Sequence, residues 1–288
     1  MSKPMKLCRY LDAKNRPRVG LIEADEVLDL TSEGIDRLSA LLDFEALLPQ
    51  ISSLAGQNLP RFPLASVRLM APVDSQEVWA AGVTYLRSKT ARMEESDFSA
   101  TAYDRVYEAE RPEIFFKAMP EKVAGPDEAV GIRHDARWNV PEPELALVLN
   151  ARGHIVGFTA GNDMSSRDIE GENLLYLPQA KIYDRSCALG PCIVVGADES
   201  AARGWTIAVS IVREEREVFS GQTSVAQIKR TFAELASWLT RCQSFPHGAV
   251  LLTGTGVVPP PEFTLAAGDR VRIEISGVGR LENSVRVV

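Results

Sequence analysis

The sequence predicts an α+β chain that is mostly β, with a small N-terminal α+β unit over residues 1–70 and a larger β-rich domain over residues 71–288. Three observations predict it. Short apolar runs recur along most of the chain. Turn residues separate them, as in Gly125-Pro126-Asp127, Asn150-Ala151-Arg152-Gly153 and Ala267-Gly268-Asp269. Apolar residues at helical spacing mark two stretches, and no internal repeat or low-complexity segment interrupts the pattern.

Taken in order, Leu7 to Leu11, Arg18 to Glu23 and Glu26 to Leu30 read as short strands. Thr31 is expected to cap a helix whose apolar positions are Leu38, Leu41, Leu42, Leu47 and Leu48. Gly56 to Pro60 then reads as a linker. Beyond Val67 the expected strands are Val78 to Gly82, Glu113 to Lys117, Ala129 to Ile132, Glu144 to Leu149, His154 to Asn162 and Cys192 to Gly196. They continue with Thr206 to Val212, Ala249 to Thr253, Arg270 to Ile275 and Gly279 to Val287. So many strands at short spacing favour a barrel or folded sheet. Ile228, Phe232, Leu235, Trp238 and Leu239 predict a helix over Val225 to Cys242 with a core-packing face. Ala80 to Glu110 is polar and charged, either a lid or binding loop or a solvated pair of helices.

Composition narrows the class. The chain has 288 residues, 45% apolar and 25% charged, with a net charge of −7. Its basic residues are scattered, which argues against a nucleic-acid partner. No apolar run approaches the ~18 residues that span a bilayer, so no membrane partner is expected. Met1 to Lys6 leads into no apolar signal core, and a cytoplasmic protein is expected. Cys8, Cys187, Cys192 and Cys242 form no Cys-x-x-Cys pair and read as reduced thiols. Cys187 stands among apolar residues, where a buried, inert thiol outweighs a nucleophile.

The chemistry concentrates in Pro141-Glu142-Pro143-Glu144-Leu145-Ala146-Leu147-Val148 and in Asn162-Asp163. Residues two apart on a strand share a face, so Glu142 and Glu144 project side by side at the mouth of an apolar, buried run. Paired carboxylates repel, and burial raises the cost. A hard divalent cation on oxygen ligands neutralises them, with Asp163 as third ligand. Three readings stay open on these residues alone: a structural calcium site, a catalytic magnesium site, or surface acids. Three carboxylates would leave an octahedral ion open positions for water or substrate, which suits catalysis.

Several blocks together resemble the fumarylacetoacetate hydrolase family, over roughly residues 78–288. Glu142 with Pro143 to Val148 is similar to its Glu-x-Glu-Leu-Ala-x-Val strand. Val156 to Asp168 is similar to its Gly-Tyr-Thr…Asn-Asp-x-Ser-x-Arg-Asp block, and Ala180 to Pro191 to its Lys-x-x-Asp…Leu-Gly-Pro block. Leu252 to Val257 and Leu265 to Asp269 match the C-terminal signature. The resemblance implies a mixed β-sandwich roll or barrel for the C-terminal domain. It implies Mg2+ on Glu142, Glu144 and Asp163, with Mn2+ or Ca2+ as substitutes. It also implies Lys181 in the active site, Thr255 near the substrate carboxylate, a small-molecule 2-oxo acid substrate, and a homodimer or homotetramer.

One departure bears on the reaction. Hydrolases of this family carry a His-x-x-Glu element after a Gly-x-Asn-Tyr segment, where the pair activates water. Here Gly82-Val83-Thr84-Tyr85 leads into a stretch without histidine, and the whole chain holds only His134, His154 and His247. The segment, with Arg111-Pro112-Glu113-Ile114-Phe115-Phe116-Lys117, resembles a branch that dehydrates 2-keto-3-deoxy sugar acids, such as 2-keto-3-deoxy-D-arabinonate to 2,5-dioxopentanoate. That implies Glu113 as a catalytic residue beside Lys181, one the acid and the other the base in either order. The bland alternative for Glu113 is a surface pair with Lys117. Arg87, Ser88 and Arg92 are candidate substrate contacts from the polar segment. Two rival functions remain at this level: C–C hydrolysis of a 2,4-diketo-3-deoxy sugar acid, and a non-catalytic metal-binding structural module.

Overall fold

The computed structural model describes residues 3–86 and 105–288. Arg87, Ser88 and Arg92 lie outside the described residues.

The chain opens with β1 (Met5–Leu11), β2 (Pro17–Glu23) and β3 (Glu26–Asp29), joined by tight turns, then α1 (Leu38–Leu42) and α2 (Leu47–Ala55). β4 (Arg61–Pro63), β5 (Arg68–Met70), β6 (Glu77–Gly82), β7 (Glu113–Ala118), β8 (Val123–Ala124), β9 (Val130–Ile132) and β10 (Asn139–Val140) follow. Next come β11 (Pro143–Leu149), β12 (Ile155–Asp163), β13 (Ser165–Ser166), α3 (Arg167–Glu172), α4 (Leu177–Lys181) and β14 (Cys187–Val195). The C-terminal part holds α5 (Glu199–Arg203), β15 (Thr206–Arg213), β16 (Arg216–Ser224), α6 (Phe232–Thr240), β17 (Ala249–Leu252), β18 (Arg270–Ile275) and β19 (Gly279–Val287).

Twelve of these strands make one large sheet. Its order is β4-β3-β2-β1-β14-β12-β11-β17-β6-β7, with β5 on β1 and β8 on β14. A five-stranded sheet, β16-β15-β18-β19-β9, packs against it. Pairing is mixed: β17 runs parallel to β6 and β19 parallel to β9. The N-terminal strands thus extend the sheet that carries the acidic residues.

The buried run in β11 shows why this strand reads as continuously apolar. Leu145, Leu147 and Leu149 face a core shared with the five-stranded sheet and with Phe232, Leu235 and Leu239 of α6. Ala146 and Val148 face the opposite way, onto a core built by Leu38, Leu41 and Leu42 of α1 and Leu47, Ile51 and Leu54 of α2. A strand covered on both faces has no polar side to show.

Three expectations change in the structure. Thr31 does not cap a helix. Asp29 accepts from Thr31 N (3.1 Å), and the turn Leu30–Glu33 ends at Gly34, whose φ of 79° is the left-handed conformation glycine adopts freely. The helix expected over Val225 to Cys242 begins at Phe232. Ile228 is extended, and Thr231 caps α6 by accepting from Glu234 N (3.1 Å), half of a Thr-x-x-Glu capping box. β16 has no counterpart in the sequence reading. It is an edge strand, largely exposed on both faces, so no apolar alternation marks it.

Cys8, Cys187 and Cys192 are buried and Cys242 is exposed. Burial pushes the thiols of Cys187 and Cys192 up to about 12. A maleimide is expected to label Cys242 alone in the native protein and all four cysteines after denaturation. Rapid native labelling of Cys187 would contradict the inert-thiol reading.

Candidate active site

β11 and β12 pair antiparallel, with Pro143 opposite Asn162 and Glu144 opposite Gly161. This register carries Asp163 to the side of Glu142: Asp163 N donates to Glu142 O (3.0 Å), and Glu142 N donates to Asn162 Oδ1 (3.2 Å). Gly161 keeps the pair close to β17, because a Cβ there would lie 2.2 Å from Leu252 Cδ2. One carboxylate oxygen from each of Glu142, Glu144 and Asp163 falls within 4.8 Å of the others, and all three residues are buried.

Other elements close the cleft around them. β6 and β7 bring Gly82 opposite Glu113, and alternation puts Glu113, Phe115 and Lys117 on one face. The end of α4 brings Lys181, and the turn after β17 brings Gly254 and Thr255. The cleft is lined by these residues except Lys117, together with Glu142, Glu144, Asp163, Glu170 and Val83. Val83 is β-branched yet sits at φ 53°, a strained backbone at the cleft wall.

The charges interlock. Lys181 Nζ meets Glu142 Oε2 at 2.6 Å and Asp163 Oδ2 at 3.1 Å. Arg167 Nη2 meets Glu142 Oε1 at 3.2 Å, and Lys117 Nζ meets Asp163 Oδ1 at 2.5 Å. Glu144 accepts from Gly254 N at 2.6 Å. Burial first, then the charges of Asp163 and Glu142, push the Glu144 carboxyl well above the usual carboxylate range. The ionised form of this acid is thus costly by itself and repaid by a cation. An oxygen-only, buried set of three carboxylates fits a hard divalent ion such as magnesium.

Thr255 is buried. Its Oγ1 donates to Val257 O (3.1 Å) and accepts from Val257 N (3.2 Å), which shapes the turn at the cleft. A Cβ on Gly254 would lie 2.2 Å from Thr84 Oγ1, so this position admits only glycine where the turn crosses the end of β6. Among the described residues no histidine lines the cleft; the His134 ring lies against Val288 O.

A family model described as the fumarylacetoacetate (FAA) hydrolase C-terminal domain matches residues 77–286, well over half of the chain. The chain belongs to the fumarylacetoacetate hydrolase family. Its mostly β, mixed-sheet architecture is the fumarylacetoacetate hydrolase fold. It is 50% identical over 217 residues to a protein of Haloferax volcanii named "Probable 2-keto-3-deoxyxylonate dehydratase", covering 75% of this chain and 74% of the relative. It is 39% identical over 287 residues to the 2-dehydro-3-deoxy-D-arabinonate dehydratase of Saccharolobus solfataricus, covering 98% and 96%. A solved structure of 2-keto-3-deoxy-D-arabinonate dehydratase complexed with magnesium and 2,5-dioxopentanoate matches with a TM-score of 0.84 and 34% identity, covering 99% of each chain.

Within this fumarylacetoacetate hydrolase fold, six residues singled out in the sequence meet in one cleft: Glu113, Glu142, Glu144, Asp163, Lys181 and Thr255. The surface pair weighed for Glu113 does not form, because Lys117 is fully buried against Asp163. Sequence reasoning assigned no role in the site to Arg167, Phe115 or Glu170, and weighed Lys117 only as a surface partner of Glu113. Glu170 is a further buried carboxylate in the cleft, accepting from Ser165 Oγ at 3.0 Å. Helical spacing places it one turn beyond Arg167, a signal that was available.

Proposed function

We propose that this chain is a magnesium-dependent dehydratase of 2-keto-3-deoxy sugar acids, with 2-keto-3-deoxy-D-arabinonate as the reference substrate and 2,5-dioxopentanoate as product. One observation carries the reading. The cleft sets a carboxyl, Glu113, and an amine, Lys181, beside three carboxylates that could hold a cation, and among the described residues it supplies no histidine to activate water. The dehydratase names of the relatives at 50% and 39% identity support it.

Glu142, Glu144 and Asp163 would hold the ion, with Mn2+ or Ca2+ as substitutes. When bound, it holds the 2-oxo acid and stabilises negative charge growing on the C2 oxygen as C3 loses a proton. Lys181 Nζ takes the C3 proton. Glu113 gives its proton to the C4 hydroxyl, which leaves as water. Elimination leaves a C3=C4 double bond. Loss of a C5 proton and return of one to C3 shift it to C4=C5, the enol of a C5 aldehyde; protonation at C4 with loss of the enol O–H proton completes the dioxo acid. Thr255 lies at the substrate carboxylate end. Arg87, Ser88 and Arg92 are proposed as contacts to substrate hydroxyls. The reading includes a cytoplasmic homodimer or homotetramer; four free cysteines fit a reducing compartment. No described helix is long and apolar enough to cross a membrane.

The direct test is a panel of 2-keto-3-deoxy acids, each assayed with magnesium and after chelation. Turnover of at least one, lost on chelation and restored by magnesium, is expected. No turnover of any member would leave the non-catalytic metal module standing.

Gly82 gives a finer check. A Cβ at this position would lie 1.9 Å from Glu113 Oε2, the far end of a flexible side chain. Gly82→Ala is expected to displace the carboxylate at little cost in folding. Turnover should fall by about 10²-fold, the scale of a misplaced reacting group, with magnesium affinity unchanged by calorimetry. Wild-type turnover would place the working carboxylate elsewhere.

A further inference from the structure

Lys117 is fully buried, and a lysine is seldom so unless its charge is paired. An ammonium has three donors and no acceptor. Lys117 Nζ pairs by charge with Asp163 Oδ1 at 2.5 Å and donates to Met164 O at 2.9 Å and to Lys181 O at 2.5 Å. The three acceptors belong to a proposed metal ligand, to the residue after it, and to the backbone of the proposed base. They come from the end of β12 and the end of α4, while Lys117 comes from β7. No covalent neighbour joins these elements at the site.

The geometry points to Lys117 as the positioning residue of this centre. By pairing with Oδ1 it orients the Asp163 carboxylate, whose Oδ2 meets Lys181 Nζ at 3.1 Å. By holding Lys181 O it ties the segment that carries the base to the ligand strand. It acts through Asp163 and Lys181. This inference rests on the reading of Glu142, Glu144 and Asp163 as the cation site.

The test is Lys117→Met, measured beside wild type. Isothermal titration of the metal-free protein with magnesium reads the cation site without any substrate. The expected result is a dissociation constant raised by about 10–100-fold, the usual cost of losing a ligand's supporting partner. At saturating magnesium, kcat should also fall by about tenfold or more while KM stays within about threefold, because Lys181 is mispositioned after the cation site has been filled. General loosening of the fold would move KM and the thermal midpoint together. Lys117→Arg, which keeps the charge, should recover part of the magnesium affinity. If Lys117→Met does not fold, Lys117→Gln is read by the same criteria. Wild-type binding with unchanged magnesium affinity and kcat in the folded variant overturns the inference. Failure of the wild type to bind magnesium overturns the cation-site reading on which it depends.

Discussion

Glu113→Gln is expected to keep its magnesium affinity and lose dehydration by about 10²–10⁴-fold, the span of a general acid–base contribution. The two properties separate because Glu113 stands on β7, across the cleft from the ligands on β11 and β12. It is not one of the three carboxylates clustered within 4.8 Å. Glutamine preserves the shape of the side chain and its contact with Gly82, but carries no transferable proton. The C4 hydroxyl would then have to leave as hydroxide or wait for solvent. Calorimetry against magnesium and steady-state kinetics on one preparation check both halves. Near-normal turnover would remove Glu113 from the chemistry.

Lys181→Met should give a second, different signature. Nζ lies 2.6 Å from Glu142 Oε2 and 3.1 Å from Asp163 Oδ2, so the ammonium shares two ligand oxygens with any cation that binds there. Removing it withdraws a competing positive charge. Magnesium affinity is expected to hold or rise, while turnover falls by about 10³-fold or more for want of a base at C3. Loss of Lys117 has the reverse effect on magnesium, so titrating the two variants side by side distinguishes a base from a positioning group. A Lys181→Met enzyme that still turns over would place the C3 proton on another residue.

Much of this site was legible in the chain because its pieces are local. Glu142 at the mouth of β11 and Glu144 on it are two residues apart, and the turn after Leu149 sets the register that returns Asp163 to them. Lys181 and Thr255 became visible through whole blocks of resemblance rather than through spacing. Lys117 was not legible. On alternation alone it reads as a lysine at the end of an edge strand, and its three acceptors lie 46 to 64 residues further along the chain. A buried ammonium is defined by tertiary packing, which no window of sequence contains. The same holds for two of the three departures in the fold. β16 has no buried face to impose a period, and Ile228 stands in helical phase with α6 although its backbone is extended. The Thr231-x-x-Glu234 capping box was the local signal that outweighed the apolar spacing.

The central claim is that the cleft removes water from its substrate and leaves the carbon chain whole. The measurement that meets it most directly is the product mass after magnesium-loaded enzyme has consumed 2-keto-3-deoxy-D-arabinonate, with a 2,4-diketo-3-deoxy acid run in parallel. Dehydration gives one product, lighter than the substrate by a single water and bearing two trappable carbonyls, and leaves the diketo acid intact. Pyruvate with a hydroxy acid from the diketo substrate, and no dioxo acid from the other, would contradict it.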